Sequence, residues 1–328
     1  MVPPCTPERS AGFETPQPTG RTWGMISRST LIGALVVVEL AIVGLATEAV
    51  AGGSIFRPVA PSQFGFGGDG AASDGLHRSF VTGPAPHVVI DVHDVDVVVQ
   101  AGSGPAVRVD ETLQRCWFFG GGDVPAVTAQ QSLDGVRIAS AGANDVHLQR
   151  HELRITVPAT ARVEFASAGR VGVSGLRTKL LAHIPDGAIE VRDHRGDIDV
   201  STGEGRITMV DVEGSDIAAN TRDGRIYLTR VGADRINATT SSGRIVGVDV
   251  RAVDGTLTTR DGRVVLSFTG NSDAVVSAHT GDGEVSVSGF TITESGDQHS
   301  VLRLGSGRGH FEVSTSDGPI TITPGASV

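Results

Sequence analysis

The sequence predicts an all-β protein: a single-stack β-solenoid of 18–19-residue coils, preceded by one N-terminal transmembrane helix or signal sequence. Three observations predict it. Gly169, Gly187, Gly205, Gly224, Gly243, Gly262 and Gly283 recur at steps of 18, 18, 19, 19, 19 and 21 residues. Two positions after each of them stands a β-branched residue: Val171, Ile189, Ile207, Ile226, Ile245, Val264 and Val285. And one apolar run, Leu31 to Val50, precedes all of this.

Residues 1–29 read as a cytosolic tail and residues 30–51 as the membrane segment. The run LIGALVVVELAIVGLATEAV has the twenty residues that a helix needs to cross about 30 Å of hydrocarbon. Arg21 and Arg28 lie before it, so the tail stays inside and the large domain is exported. Glu39, near mid-helix, costs about 2–3 kcal/mol on an insertion scale, which the surrounding Leu, Val and Ile offset. Ala49-Val50-Ala51 also fits a signal-peptidase site, and Met25 fits a shorter start, so a secreted form cleaved near Ala51 is the alternative. Residues 52–87 are rich in Gly, Pro, Ser and Ala and read as a linker. Gly65 to Gly70 matches G-x-G-x-x-G, but no strand precedes it and no helix follows, so nucleotide binding is not expected.

Residues 88–324 read as the extracytoplasmic solenoid with N-terminal capping strands. Alternate strand residues share a face. The columns two and four after each glycine therefore point inward together, as do those five and three before it. The column at three before holds Thr202, Thr221, Thr240, Thr259 and Thr280, which can pack a methyl while bonding along the stack. Coils stacked at about 4.8 Å give a rod of roughly 35–45 Å. His87 to Leu113 and Gly135 to Val157 read as caps, and Val301 to Ile322 as a closing pair of coils or a hairpin.

The run LRITVPATARVEFASAGRVGVSGL, then DGAIEV, RGDIDV, EGRITM, DGRIYL, SGRIVGV, DGRVVL, DGEVSV and DGPITI, resembles the bacterial putative-adhesin family of unknown function. There, a strand ending in V-P-A precedes repeated turn-Gly-x-Ile-x-Val units behind a membrane anchor. The resemblance spans Val88 to Ile322 and implies surface adhesion. It brings no catalytic residue.

Composition narrows the chemistry. The 328 residues carry a formal net charge of −10, which argues against nucleic acid as a partner. Cys5 and Cys116 fall on opposite sides of the apolar run and cannot pair. No cofactor or metal is expected, and no G-x-S-x-G, H-E-x-x-H, C-x-x-C or P-loop occurs.

The candidate binding edge is an arginine ladder, Arg206, Arg225, Arg244 and Arg263, beside an acidic one that includes Asp223 and Asp261. It reads either as a solvated, self-neutralising edge or as a stripe for an anionic wall polymer or an envelope protein. Weaker candidates are Asp91, His93, Asp94 and Asp96 for calcium, His147 with His151 for a metal, and the aromatic cluster Cys116 to Phe119 for docking. The expected function is a noncatalytic, adhesin-like envelope module. The alternatives are a polysaccharide hydrolase or lyase using Asp197 with Asp199 or Asp211 with Glu213, and an envelope-stress sensor.

Overall fold

The computed structural model describes residues 73–115, 126–140 and 148–325, and these are all-β, with no helix among them. The strands are β1 (Ser73–Val81), β2 (His87–Asp91), β3 (Asp96–Gly102), β4 (Ala106–Arg115), β5 (Val127–Gln131), β6 (Gly135–Ser140), β7 (Leu148–Pro158), β8 (Arg162–Ser167) and β9 (Val171–Ser174). Then come β10 (Leu180–Asp186), β11 (Ile189–Arg195), β12 (Ile198–Glu204), β13 (Ile207–Thr221), β14 (Ile226–Thr240), β15 (Ile245–Val250), β16 (Asp254–Thr259) and β17 (Val264–Phe268). The last are β18 (Ala274–Thr280), β19 (Val285–Val287), β20 (Thr291–Ser295), β21 (His299–Arg303), β22 (Gly309–Thr315) and β23 (Ile320–Pro324).

Their pairing resolves into two parallel ladders. One runs β7–β3–β9–β11–β13–β14–β15–β17–β23–β19. The other runs β6–β2–β8–β10–β12–β13–β14–β16–β22–β18. The long strands β13 and β14 belong to both, the first half of each to one ladder and the second half to the other. In the middle the register steps match the sequence period: Leu180 lies beside Ile198, Ile207 beside Ile226 and Ile226 beside Ile245. One strand from each ladder makes a tier, and neighbouring tiers lie about 4.8 Å apart.

The core sits between the ladders as one cluster from Val88 to Ile322. Ile189, Ile207, Ile226, Ile245 and Val264 are wholly buried, with Val191, Met209, Leu228 and Leu266 beside them. At the fourth position Gly247 interrupts that column; Leu266 and Val250 side chains crowd the space where its Cβ would be. Thr202, Thr221, Thr240, Thr259, Thr280 and Thr315 are buried too. Each donates its hydroxyl to a corner-glycine carbonyl of the adjacent tier, for example Thr240 to Gly224 at 3.1 Å and Thr259 to Gly243 at 2.9 Å. The methyl packs while the hydroxyl satisfies a carbonyl, so burying it costs little.

Antiparallel strands close the ends. β4 covers β7 and β1 covers β4; β5 covers β6; β21 covers β18 and β20 covers β21.

Several expectations need correcting. Ser73–Val81, assigned to the linker, is a strand on the outer edge of β4. The run VVIDVHDVDVVV is two strands, β2 and β3, and they form no cap. They lie inside the stack, between β6/β7 and β8/β9. The step from Gly262 to Gly283 does not join neighbours. Gly318 sits between them: a Cβ on Gly318 would meet the Gly262 carbonyl, and one on Gly283 the Gly318 carbonyl. In β8 the inward residues are Val163 and Phe165; Glu164 and Ala166 are not buried, because Phe165 pairs with Ala182. The apolar run Leu31–Val50, Cys5, Glu39, the cluster 116–119 and His147 lie outside the described residues. Among the described residues no helix is long and apolar enough to cross a membrane.

Candidate functional site

From Gly187 on, the tiers turn at the repeated glycine because no side chain fits there, while the β2/β3 tier has Val95 at this corner, opposite Gly169. A Cβ on Gly224 would lie 1.7 Å from the Gly205 carbonyl oxygen, and one on Gly243 would lie 1.6 Å from that of Gly224. This close approach fixes the flanking residues in register. The main-chain amides of Ile189, Ile207, Ile226 and Ile245 donate to the carbonyls of Arg206, Arg225, Arg244 and Arg263, at 2.8, 2.9, 3.0 and 3.1 Å. The four arginines of the predicted edge are therefore stacked in four successive tiers.

Arg206, Arg225 and Arg244 are exposed, and Arg263 is half-buried. The first three make no ion pair among the described residues; Arg206 lies over the Tyr227 ring, 5.7 Å from its centroid. Asp223 and Asp261 are exposed on the other side of the glycine and do not bridge to Arg225 or Arg244. Like charges about 4–5 Å apart repel by about 1 kcal/mol in water, so Arg206, Arg225 and Arg244 carry a cost that no bridging acid removes. Two further arginines escaped the sequence reading. Arg222 and Arg260 stand two residues before Gly224 and Gly262, in the motif R-D-G-R, and both are exposed. From Glu204 to Arg263 the corner thus presents Arg206, Arg222, Arg225, Arg244, Arg260 and Arg263 against Glu204, Asp223 and Asp261, in a chain of net charge −10. Towards the C-terminal tiers the sign reverses: a hydrogen bond to Asp261 holds the Asp317 carboxyl above its usual range, with desolvation and the charges of Asp261 and Asp282 adding.

At the second corner and along the strands several charges are matched. A second corner turns at the sixth position after the glycine with positive φ: Gly175, Asp193, Asp211, Arg230 and Asp249 at 77°, 49°, 56°, 51° and 54°. Arg230 grips Asp211 with two bonds, 2.5 and 2.8 Å, which hold the Asp211 carboxyl below its ordinary range. Asp197, offered as a catalytic acid, accepts the amides of Ser215 and Asp216 at 3.2 and 3.1 Å. Asp199 lies 3.9 Å from His183, and Glu213 lies 3.8 Å from Arg195. These four acids are spread along the outside and are not brought together. In the proposed calcium cluster, Asp91 pairs with Arg137 at 3.2 Å and Asp96 caps the Arg170 amide at 3.1 Å. No group of three potential metal ligands occurs among the described residues.

Two buried histidines also escaped that reading or changed role. His151, a weak metal candidate with His147, donates to Glu111 at 2.8 Å, both nearly buried, with the Leu76 amide on the other carboxyl oxygen. The imidazole and the amide hold the Glu111 carboxyl below its usual range although burial opposes them. His194 is wholly buried, in register with Val212, and neither ring nitrogen has a hydrogen-bond partner. Burial pushes its pKa down to about 4; the charge of Asp197 and the main chain at Thr178 and Asp197 lie near but not in bonding geometry, and oppose this only in part.

The described fold is similar to that of solved bacterial proteins. A "putative adhesin" from Parabacteroides distasonis matches with a TM-score of 0.50 at 13% identity, over 78% of this chain and 98% of that one. A "putative adhesin" from Bacteroides fragilis matches at 0.46 and 11%, over 76% and 96%. A "putative lipid binding protein" from Parabacteroides distasonis matches at 0.46 and 11%, over 76% and 97%. At such identities the likeness shows the fold alone. No protein-family model matches the chain, and no curated protein matches it.

Proposed function

We propose that the chain is a noncatalytic cell-envelope surface protein: a β-solenoid held outside the membrane by the segment Leu31–Val50, which binds or scaffolds through its glycine-corner edge. The observation that carries this is the stack of Arg206, Arg225 and Arg244, exposed and without ion pairs, whereas Arg195, Arg230 and Arg235 each lie against an acid of the adjacent tier. The acids that a polysaccharide hydrolase would need are occupied by corner amides and by arginine, which favours binding over turnover. The repeated 18–19-residue register supports the solenoid, and the solved neighbours support an adhesin-like role.

The test is capture of envelope components by the purified full-length chain, alongside protease treatment of intact spheroplasts. Degradation of the large domain and recovery of a cell-wall polymer or envelope protein are expected. Full protection of the domain, or turnover of a wall glycan that is lost in Asp197→Asn or Asp211→Asn, would overturn it.

A further inference from the structure

The geometry points to a specific ligand for this edge: a linear polymer bearing a repeating anionic group, phosphate or carboxylate, laid lengthwise along the stack. The inference rests on the surface-binding reading and names its partner. Three observations carry it. The arginines repeat at the tier spacing, about 4.8 Å, in strict register, so the charge is a line and not a cluster. Arg222 and Arg260 form a second row two residues upstream, two tiers apart, which widens the line into a shallow track.

The third is contrast with arginines that are bridged between tiers. At the other corner Arg230 faces Asp211 and Arg235 faces Asp216 in adjacent tiers, and on the strands Arg195 faces Glu213. At the glycine corner Arg206, Arg225 and Arg244 sit unbridged by acid and present planar donor forks suited to carboxylate or phosphate. A monomeric anion would meet one or two forks. A polymer would meet four or more on a scaffold already ordered before binding, so that little further ordering is needed. The acidic C-terminal tiers, with Asp317 and Asp282, would repel the same polymer and so set where the track stops.

The test is equilibrium binding of the full-length chain to inorganic polyphosphate and to polygalacturonate, with orthophosphate and galacturonate as monomers at equal charge concentration. One or both polymers should bind and the monomers should not. Log affinity should fall with log salt at a slope of about −3 to −4, the value for roughly four neutralised charges. Arg225→Gln with Arg244→Gln should cost at least tenfold and flatten the slope by about two charges. Arg195→Gln, off this edge, should change neither, and thermal melts confirm that each variant is folded. No polymer binding, equal binding of the monomers, or affinity indifferent to the double variant would overturn the inference. Capture of the same envelope component by parent and double variant alike would overturn it while leaving the surface-binding reading intact.

Discussion

The two corners of each tier solve the same problem by opposite means. At the glycine corner the chain turns by bringing backbone onto backbone, with a threonine hydroxyl sealing the carbonyl beneath. At the sixth position beyond, it turns through left-handed residues that keep their side chains: Asp193, Asp211, Arg230 and Asp249. The first corner tolerates no Cβ from Gly187 on but leaves Arg206, Arg225 and Arg244 beside it unbridged. The second accepts side chains and, at Arg230 and Asp211, binds their charges to one another. Where space fixes a turn, the surface beside it is free for function. Where charge fixes a turn, the surface is already in use.

The largest expected effect tests the core beside the first corner. Ile226→Asp places a carboxylate between Ile207 and Ile245, in a wholly buried column, and should cost several kcal/mol. A thermal melt close to that of the parent would dismantle the inward column. Gly243→Ala is next. Its methyl would stand 1.6 Å from the Gly224 oxygen, so the main chain must move, and a loss of about 3 kcal/mol or more is expected. A tolerated alanine there would erase the distinction between the corners.

The second corner should show itself in pH. His194, in register with Val212 and Asp193's neighbour, has its pKa depressed from 6.5 to about 4. Its contribution to stability is therefore present above pH 6.5 and is lost as pH falls towards 4, on the order of 3 kcal/mol in all. His194→Val should keep stability at pH 7 and flatten the pH dependence between 6.5 and 4. Denaturant midpoints measured across that range decide it. The Glu111–His151 pair acts in a lower window, since a depressed carboxylate loses its contribution only as pH drops below about 4.5.

Smaller effects sharpen the comparison further. Thr240→Val keeps the packed methyls but leaves the Gly224 carbonyl without its hydroxyl, and about 1 kcal/mol should be lost in a urea titration. Asp193→Gly relieves a left-handed residue, and Arg225→Ala removes one charge from a self-repelling ladder. Each should move stability by no more than about 0.5 kcal/mol, and either could raise it.

The inward columns were legible because period-two burial and the glycine step repeat together: Ile207, Ile226 and Ile245 announce themselves. The second corner was not legible by residue type. Gly175, Asp193, Arg230 and Asp249 share a backbone angle rather than a chemistry, and only their common distance from the glycine marks them. The β8 inward residues were misplaced by one, since Phe165 pairs with Ala182 at a 17-residue step. Tier order at the ends was illegible in principle. A repeat says that Gly283 and Gly318 belong to the same column, but it holds no record of which lies next to Gly262. At the candidate edge the arginine column was readable, and so were the acids. What could not be read was that they would stand apart, because pairing depends on the side to which the glycine turn sends each side chain.

The order of tiers at the two ends also has a mechanical meaning. The first tier in the chain, β2/β3, and the last, β22/β23, are each clamped between two others, while later or earlier segments form the outermost tiers. Tension applied at the N-terminal side would peel β1 and then reach a tier that must break two ladders at once in order to leave. An ordinary stack unzips from its end, one seam at a time. This one is bolted at both ends, and its chain cannot stack strictly in the order in which it is made, because a slot must stay open for the residues that come last.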